Sequence, residues 1–580
     1  MVNALLVYPK NPITFWSFDW ALKIAGKKSA FQPAGLLTVA GMLPENYNLK
    51  LIDSNVQNLT DDDIEWADIG ITSGMIIHWS DTEKIIQRFN NFKKPVLAGG
   101  PLATQYFDEM KGNATFFLGE AETGFQDELE RIVSRGYKEE RDVVDRRKIF
   151  LPLKNKTPLQ KFGLLNNSLK DYAAMAIQIT RGCPEKCTFC NIPSLYGDKT
   201  RMSDNNKVIS ELQILHDFGW RGSVMMVDDN FVGNQELIIP LLKEVEQWQK
   251  QNKYPFSFFT QASLRMYENP VLMEAMYNAG FDQVFFGLES PSPESLKFMG
   301  AQKNLQAKTE RGKISMLEKI KDIQANYFKA QAGFILGLDT DPKNIADLTK
   351  EFIQKSRISV AMVGPLGVLP ETPDYTRFSK QNRIVKDVRY AGDSGIFTRK
   401  LSYIPQDKDG NNIDPNIILN RHREVVEYIN SAEMYFSRTL EYIKNRKRKP
   451  LSKTPIDFSK VKALFRSFYY QGIKSNYTKT YWKYLWGVAK HDLSDLADAI
   501  SYAVEGHHLI TVTQESLKVD DINTSLEILL NKNYSENLRN LGYGCLKDIM
   551  DKYNGVKEEF KDHINSEYKI FIEEKIPSYI

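Results

Sequence analysis

The chain of 580 residues has a mass of 66.7 kDa, with 42% hydrophobic and 26% charged residues. This composition is that of a folded protein of about three or four domains, and it excludes a disordered or fibrous one. The formal net charge is only +3, so overall charge gives no reason to expect a nucleic-acid partner. The N-terminus has no basic region before its apolar run, and no apolar stretch reaches the roughly 20 residues that a membrane span needs, so we expect a cytoplasmic protein.

Short apolar runs alternate with helix-like segments over residues 1–143. The runs are "ALLVYP", "LKLID", "DIGITSG", "PVLAGGP" and "TFFLGEAE". Buried parallel strands joined by helices give this pattern, which predicts a doubly wound, Rossmann-like α/β domain. Ligands bind beyond the carboxyl ends of strands in such folds, although tight turns explain the same glycines. The candidate contacts at these ends are Ser73, Gly74, Gly99, Gly100, Gly119 and Glu120.

Three further regions are expected after this domain. Residues 144–171 contain prolines and little periodicity, and are predicted to be a linker. Residues 172–386 contain six strand candidates separated by helical segments, which predicts an open, partial (β/α)6 barrel with its chemistry on loops at the strands' carboxyl ends. Residues 387–580 show apolar residues at helical spacing, which predicts a mostly α-helical C-terminal domain.

The loop "RGCPEKCTFC" at residues 181–190 holds three of the four cysteines of the chain. Thiolates are soft ligands that suit zinc or iron–sulfur clusters. Structural zinc generally takes four protein ligands, and no fourth cysteine or histidine lies near this loop. A four-iron cluster on Cys183, Cys187 and Cys190 would leave one iron open to a substrate or cofactor. A structural metal clip is the alternative interpretation.

The segment "CPEKCTFC", with the aromatic Phe189 before its last cysteine, resembles the cluster motif of the radical S-adenosylmethionine (SAM) superfamily. The resemblance implies a 4Fe-4S cluster on the three cysteines, with SAM bound at the open iron. It also implies reductive cleavage of SAM to a 5′-deoxyadenosyl radical that takes a hydrogen atom from the substrate. An electron donor such as a flavodoxin or ferredoxin is expected as a partner.

Later strand ends resemble the SAM-binding segments of the same superfamily. The motifs are "MVDDNF", "FTQASL", "FFGLES" and "GFILGLD". Helix capping is the alternative role for each strand-end carboxylate. The candidate SAM contacts are Asp228, Asp229, Asn230, Gln261, Ser263, Glu289, Gly333 and Gly337, together with Phe189.

An α/β domain before such a barrel resembles the cobalamin-dependent branch of the superfamily, often called class B. Matching segments are "QPAGLLTVAGML", "LAGGP" and "GEAE". The resemblance implies that cobalamin binds at the strand ends named above and that a methyl group is transferred to an unactivated carbon. The D-x-H-x-x-G motif is missing, and His78 is the only histidine of the domain, in a setting that does not match. Cobalt is therefore expected to have no histidine ligand.

The segment "GVLPETPDYTRFSKQNRI" resembles the "LPGTPLY" segment that opens the helical domain of hopanoid methylases and related lipid-modifying enzymes, with Glu371 in place of the glycine. It implies an apolar substrate such as an isoprenoid or a lipid. Aromatic residues alternate with lysines over residues 463–490, which suits a membrane interface, a surface that stacks nucleobases, or an aromatic core. We expect a small-molecule or lipid substrate, peripheral membrane contact and no nucleic acid.

The favoured hypothesis is a cobalamin-dependent radical SAM C-methyltransferase. A methylthiotransferase would need three more cysteines in its first domain, and none precedes Cys183. Two alternatives stay open. One is a related enzyme that forms or rearranges C–C bonds without methylating, and the other is a non-catalytic cobalamin or SAM sensor, which would need no three-cysteine cluster.

Overall fold

The computed structural model describes all residues except 154–157, 306, 310–311, 387, 389–399, 453–457, 532–542 and 579–580. The first domain is built on a six-stranded parallel sheet with the order β2-β1-β3-β4-β5-β6. Its strands are Val2–Tyr8 (β1), Tyr47–Asp53 (β2), Ile69–Ser73 (β3), Val96–Gly99 (β4), Thr115–Leu118 (β5) and Asp142–Asp145 (β6). Its helices are Asp19–Ala25 (α1), Ala34–Met42 (α2), Asp61–Trp66 (α3), Trp79–Asn91 (α4), Gly100–Tyr106 (α5) and Phe125–Arg135 (α6).

Apolar side chains on both faces explain why this sheet forms. Leu5 and Val7 of β1 belong to one buried cluster, whereas Ala4 and Leu6 belong to another, because successive side chains of a strand point to opposite faces. Five of the six strands match the predicted apolar runs. Strand β6 was not predicted, and it lies across the expected domain boundary at residue 143.

The second sheet is also parallel and six-stranded, with the order β16-β15-β12-β11-β10-β7. Its strands are Met175–Ile177 (β7), Gly222–Met226 (β10), Phe256–Ala262 (β11), Phe281–Glu289 (β12), Lys329–Leu336 (β15) and Ala361–Pro365 (β16). Two small hairpins flank it, formed by Thr180–Arg181 (β8) with Arg201–Met202 (β9) and by Ala307–Thr309 (β13) with Gly312–Ile314 (β14). Its helices are Ile192–Tyr196 (α7), Asn205–Asp217 (α8), Gln235–Gln251 (α9), Pro270–Ala279 (α10), Pro293–Phe298 (α11), Met316–Asn326 (α12) and Ile345–Ser356 (α13). This is the predicted partial barrel.

Segments of the first domain contact both sides of this open barrel. The amide of Gln32 pairs with the backbone of Ala176 in edge strand β7, accepting from its N–H at 2.8 Å and donating to its C=O at 2.7 Å. On the opposite edge, the Trp16 indole N–H lies 3.2 Å from the sulfur of Met362 in β16. The predicted linker is packed too, because Leu153, Phe162 and Leu165 are buried.

The C-terminal region is helical, as predicted. Its helices are Pro373–Lys380 (α14), Pro415–Ile429 (α15), Ala432–Asn445 (α16), Phe458–Gly472 (α17), Thr478–His491 (α18), Leu496–Asn531 (α19), Tyr543–Asn554 (α20) and Ser566–Ile570 (α21). An aromatic cluster around Tyr435, Tyr481 and Tyr484 joins it to Val360 and Met362 of the barrel. Across the part of the chain that the structure describes, no helix combines the length and the apolarity required to span a bilayer. The predicted boundaries at residues 143, 171 and 386 remain predictions.

Candidate functional site

The cysteine loop leaves β8 at the carboxyl end of the barrel through a turn that only glycine fits. Gly182 has φ +86, and a Cβ there would lie 2.5 Å from the carbonyl oxygen of Lys199. Further along, the N–H of Cys183 donates to Gly197 and the N–H of Thr188 donates to Met299, at 3.2 and 3.0 Å. The loop is therefore held in place by backbone contacts on both sides.

Cys187 is buried and Cys183 and Cys190 are partly buried, and the thiols are near enough to influence one another's pKa. Burial, with a smaller contribution from the neighbouring thiols, raises the pKa of Cys187 to about 11 and that of Cys190 to about 12, although Lys303 acts in the opposite direction. The side-chain N–H of Asn230 lies 3.7 Å from the sulfur of Cys183. Within the described residues, no three His, Cys, Asp or Glu side chains are placed to hold one metal ion. In a four-iron cluster each thiolate binds a different iron atom, and positive metal charge favours the thiolate form. The donor set fits such a cluster.

Lys303 is a site residue that sequence reasoning missed. Its ammonium lies 3.8 Å from the Glu289 carboxylate. Burial lowers the pKa of Lys303, but Glu289 and the thiols of Cys187 and Cys183 raise it more, so the net shift is upward. The adjacent Asn304 fixes the segment by donating to the carbonyls of Gly287 and Leu288 at 2.7 and 3.0 Å. No motif in the sequence marks this lysine, because only the fold brings it to the cysteines.

The segment "VDDN" after β10 supports the cysteine loop. Asp228 is buried and accepts from the N–H groups of Ile179 and Thr180 at 2.8 and 2.7 Å. Burial raises the pKa of Asp228 to about 7 and that of Asp229 to about 6. Asp229 accepts from the N–H of Gly182 at 3.1 Å. These carboxylates brace the turn into the loop, and their contact with SAM stays a prediction.

Asn230 and Ser263 connect two strand ends next to the cluster loop. Asn230 accepts from the backbone N–H of Ser263 at 3.0 Å, while its N–H group faces Cys183. Glu289 follows on the next strand and has a left-handed backbone, φ +66, at a bulge in the pairing with β15. Such strain is typical of functional sites. The structure thus gathers three of the predicted residues around the cysteines.

The other predicted SAM residues are Gln261, Gly333 and Gly337 on the barrel and Phe189 in the cysteine loop. Gln261 is exposed. Gly333 makes room for the ring of Phe285, which would lie 3.2 Å from a Cβ there. Gly337 has φ +92, and the hydroxyl of Tyr403 donates to its carbonyl oxygen. Phe189 packs against a buried cluster around Phe378 and Met299. None of these contacts tests SAM binding.

The inner face of the barrel carries partly buried apolar side chains together with polar ones such as Gln261 and Gln283. On β12, Val284 and Phe286 are fully buried against the outer helices. Because side chains alternate along a strand, Phe285 points to the inside, where it is only partly buried. The same alternation holds for Met225, Phe259 and Ile335. The rings of Trp16 and Phe31 enter from the first domain, 5.5 Å from Phe285 and 6.0 Å from Phe259 between centroids. Part of the inner face is therefore apolar and aromatic.

The predicted cobalamin residues of the α/β domain form close turns. Gly100 has φ +82 and lies against Ser73 and Gly74, and Gly74 accepts from the N–H of Leu102 at 3.0 Å. A Cβ at Gly119, which has φ +102, would lie 2.7 Å from the carbonyl oxygen of Arg146. Gly99 has an extended backbone with room around it, because the nearest atom would lie 3.6 Å from a Cβ at this position. Turn geometry accounts for these glycines, and a cobalamin contact stays a prediction.

His78 is buried and both ring nitrogens have partners. Nδ1 accepts from the N–H of Met75 at 3.0 Å, and Nε2 lies 2.6 Å from the side-chain oxygen of Asn11. Burial lowers the pKa of His78 to about 4, so the ring is neutral. Both nitrogens are thus engaged within the domain, and the absence of a histidine ligand to cobalt stays a prediction.

Two ion pairs join the α/β domain to the cysteine loop. Arg181 donates to both oxygens of Glu122 at 3.0 and 2.8 Å. Arg201 donates to both oxygens of Glu120, one at 2.9 Å, and Glu120 also lies 3.6 Å from Arg181. Glu120 was predicted to contact cobalamin, but in the structure its carboxylate is engaged by these arginines. The carboxyl end of β5 therefore abuts the loop that carries the cysteines.

Comparisons with known proteins agree with this architecture. A family model described as the radical SAM superfamily matches residues 177–312, and one described as a domain of unknown function (DUF4070) matches residues 372–521. An uncharacterized methyltransferase from Synechocystis sp. is 32% identical over 520 residues, which are 88% of this chain and 91% of that protein. The hopanoid C-2 methylase of Rhodopseudomonas palustris is 27% identical over 522 residues, 88% of this chain and 94% of that protein.

One solved structure shares the fold over nearly the whole chain. It is the cobalamin-dependent S-adenosylmethionine radical enzyme OxsB with aqua-cobalamin and S-adenosylmethionine bound, with a TM-score of 0.53 and 15% identity, over 95% of this chain and 84% of that one. The three-domain fold and the cysteine site thus define a radical SAM protein. The chain belongs to the radical SAM superfamily, and within it the chain aligns along most of its length with proteins named as methyltransferases. It is an enzyme, with a 4Fe-4S cluster and SAM as its cofactors.

Proposed function

We propose that this enzyme transfers a methyl group to an unactivated carbon of an apolar substrate with the help of cobalamin. The observation that carries the proposal is the set of partly buried apolar side chains on the inner face of the barrel, namely Phe259, Phe285 and Ile335. The names of the full-length relatives support methyl transfer, and the hopanoid C-2 methylase supports a lipid-like substrate. The fold shared with a cobalamin-bound enzyme supports cobalamin.

The residues have distinct roles in this proposal. Cys183, Cys187 and Cys190 hold the cluster, and Lys303 balances the negative charge of their thiolates. When bound, the cluster, SAM and cobalamin supply one-electron cleavage of SAM and a transferable methyl group. In this proposal the apolar side chains of the inner face contact the substrate, because an apolar molecule gains free energy on leaving water.

Two partners follow from the proposal. A reducing electron must reach the cluster, and a small redox protein such as a flavodoxin or ferredoxin would deliver it. A lipid-like substrate is concentrated in membranes, so we propose peripheral association with a membrane surface.

The test uses protein expressed with cobalamin and reconstituted without oxygen. It is incubated with SAM that carries a labelled methyl group, with dithionite, and with a hopanoid hydrocarbon as the probe. We expect 5′-deoxyadenosine and a substrate that carries the label. Cys187→Ser should abolish both, whereas Cys545→Ser, outside the cluster motif, should retain both.

Other outcomes would overturn the proposal in different ways. Release of 5′-deoxyadenosine with a rearranged, unlabelled product would favour the non-methylating alternative. Absence of 5′-deoxyadenosine from protein with a full complement of iron and sulfide would favour a sensor. Protein that retains no cobalamin when expressed in its presence would contradict the role of cobalamin.

A further inference from the structure

The helix pair α17–α18 carries an exposed apolar surface that the catalytic site does not use. We define the aromatic face as the exposed apolar side chains of this pair, which are Val461, Phe465, Tyr469, Ile473, Trp482 and Trp486. Four of them, from Val461 to Ile473, recur every fourth residue along α17 and just past its end, so they lie on one side of the helix. Phe465 is 66% exposed, Trp486 68% and Ile473 70%.

This exposure does not come from loose packing of the two helices. The opposite sides of α17 and α18 are buried, as Ser467, Tyr481 and Tyr484 show. Trp482 is fixed in place, since its indole N–H donates to the carbonyl of Gly472 at 2.9 Å. An aromatic core, one of the sequence-based interpretations, accounts for the buried tyrosines but not for the aromatic face.

Positive charge surrounds the aromatic face. Residues 458–491 contain seven lysines and arginines and no aspartate or glutamate, although the whole chain has a net charge of only +3. Lys474 lies 4.9 Å from the ring of Tyr469, and Lys490 lies 5.4 Å from the ring of Trp486. Exposed rings and cations thus lie side by side on both helices of the pair.

We propose that the aromatic face docks the enzyme onto the surface of an anionic phospholipid bilayer. Tryptophan and tyrosine favour the headgroup level of a bilayer, and lysines near them are attracted to anionic lipids. Val461 and Ile473 offer no ring for stacking a nucleobase, but they can enter the boundary between headgroups and acyl chains. The aromatic face would thus be the site of the peripheral membrane association that is part of the proposed function, and the proposal rests on that function.

Vesicle flotation tests this docking with the full-length protein. The probes are vesicles of phosphatidylcholine alone and of phosphatidylcholine with phosphatidylglycerol. We expect the wild type to float with the anionic vesicles, to bind the neutral ones at least tenfold more weakly, and to be released by high salt. Phe465→Glu and Trp486→Glu should each lower binding to anionic vesicles at least tenfold, because both side chains are largely exposed and the change leaves buried contacts intact.

A matched control separates the face from surface hydrophobicity in general. Val271 begins α10 on the barrel and is 65% exposed, so Val271→Glu makes a comparable change elsewhere. It should leave vesicle binding at the wild-type level, and all three variants should keep the circular dichroism spectrum of the wild type. The double variant with Lys479→Glu and Lys483→Glu should bind anionic vesicles more weakly than the wild type, and its binding should depend less on salt concentration.

The proposal would be overturned if wild-type protein failed to bind anionic vesicles, or if Phe465→Glu bound them like the wild type. Binding of single-stranded RNA that needs the same residues would favour a nucleic-acid surface instead. Self-association that both glutamate variants abolish, without vesicle binding, would favour a second copy of the chain. The assay contains no SAM or reductant, so a failure here is distinct from a failure to methylate.

Discussion

Lys303 shows how a single buried charge can tune the candidate cluster. A positive charge beside three thiolates favours the more negative, reduced state of a cluster. At an effective dielectric constant of about 20 this interaction shifts a reduction potential by on the order of 100 mV. We expect Lys303→Met to lower the midpoint potential by about that amount, and Lys303→Arg to stay near the wild type. Redox titration followed by electron paramagnetic resonance measures it.

Iron content provides the control for this prediction. Both Lys303 variants should bind iron and sulfide like the wild type, because the cysteines are unchanged. A midpoint potential in Lys303→Met equal to that of the wild type, at full iron content, would show that the lysine does not act on the cluster.

The contacts of Glu371 explain why a glutamate can occupy the position where the motif has glycine. Its backbone is left-handed, with φ +60, a conformation that glycine adopts without cost. The carboxylate accepts from the hydroxyl of Ser194 on α7 and lies 3.7 Å from Arg147, which follows β6. Contacts of the side chain therefore offset backbone strain of about 1 kcal/mol.

Two substitutions at Glu371 separate these effects. Glu371→Ala loses the contacts and keeps the strain, so we expect the free energy of unfolding to fall by about 1–2 kcal/mol. Glu371→Gly loses the contacts but relieves the strain, and should be about 0.5–1 kcal/mol more stable than the alanine variant. Urea denaturation measures both. An alanine variant that is the more stable of the two would refute the strain argument.

The residues of the site differ in how far the sequence could predict them. The cysteines were predicted because ligand spacing is local, and Asn230 and Glu289 were named because a known motif resembles their segments. Lys303 was not predicted, because it reaches the cysteines only through the fold. Glu120 was named as a cobalamin contact because its segment resembles a known motif. Its pairing with Arg201 could not be predicted, because the two residues are 81 positions apart and no local pattern links them.

At the level of elements, apolar runs predicted the sheets well, because buried parallel strands need apolar side chains on both faces. The exception is β6, whose sequence "DVVD" begins and ends with aspartate, and which pairs on one side only with β5. Such a short edge strand has no apolar pattern. Similarly, the linker was predicted from its prolines, whereas Phe162 and Leu165 bury it against the core.

The edge of the barrel at β7 gives a prediction for one such element. Gln32 both accepts from and donates to the backbone of Ala176, and this blocks the unpaired edge of the strand. Gln32→Glu keeps the shape but replaces the donor with a carboxylate that faces a carbonyl oxygen. We expect the free energy of unfolding to fall by about 2–3 kcal/mol at neutral pH.

The size of this loss should depend on pH. Burial raises the pKa of the carboxyl group that Gln32→Glu introduces, and its protonated form can donate to the carbonyl again, so the loss should shrink as the pH falls from neutral towards the ordinary glutamate pKa of about 4.3. Gln57→Glu is the control, because Gln57 is exposed and donates to a single carbonyl, that of Leu51, at 3.0 Å. Equal losses of unfolding free energy at both positions would show that the contact of Gln32 with the strand edge stabilises the fold no more than the exposed hydrogen bond of Gln57. Denaturation at several pH values makes the comparison.

In the whole molecule, the α/β domain and the barrel meet through the buried pairs of Arg181 with Glu122 and of Arg201 with Glu120. The side chains are only 2–14% exposed, and Arg181 directly precedes the glycine that starts the cysteine loop. The sequence predicted both domains but not this junction, because the pairing residues are far apart in the chain. The junction fixes the position of the loop relative to the strand ends of the first domain.

Breaking one of these pairs should loosen that junction. Glu122→Gln leaves a buried guanidinium without its bidentate carboxylate, and removal of one partner of a buried pair costs about 3–5 kcal/mol. We expect a loss near the lower end, since Glu120 still lies 3.6 Å from Arg181. Hydrogen exchange of residues 180–190 should become faster, and thermal unfolding should begin at a lower temperature. Glu128→Gln, which breaks the surface pair with Arg131, should cost less than about 1 kcal/mol.

A double variant tests whether the junction contributes stability or geometry. Replacing Arg181 by Met and Glu122 by Leu removes both charges, and such replacements of buried pairs often restore stability. The planar, bidentate contact would still be lost, so we expect near wild-type unfolding with hydrogen exchange in residues 180–190 that stays fast. Exchange that returns to the wild-type rate would mean that packing alone positions the loop. Unchanged exchange in the single variant Glu122→Gln would mean that the ion pair does not hold it.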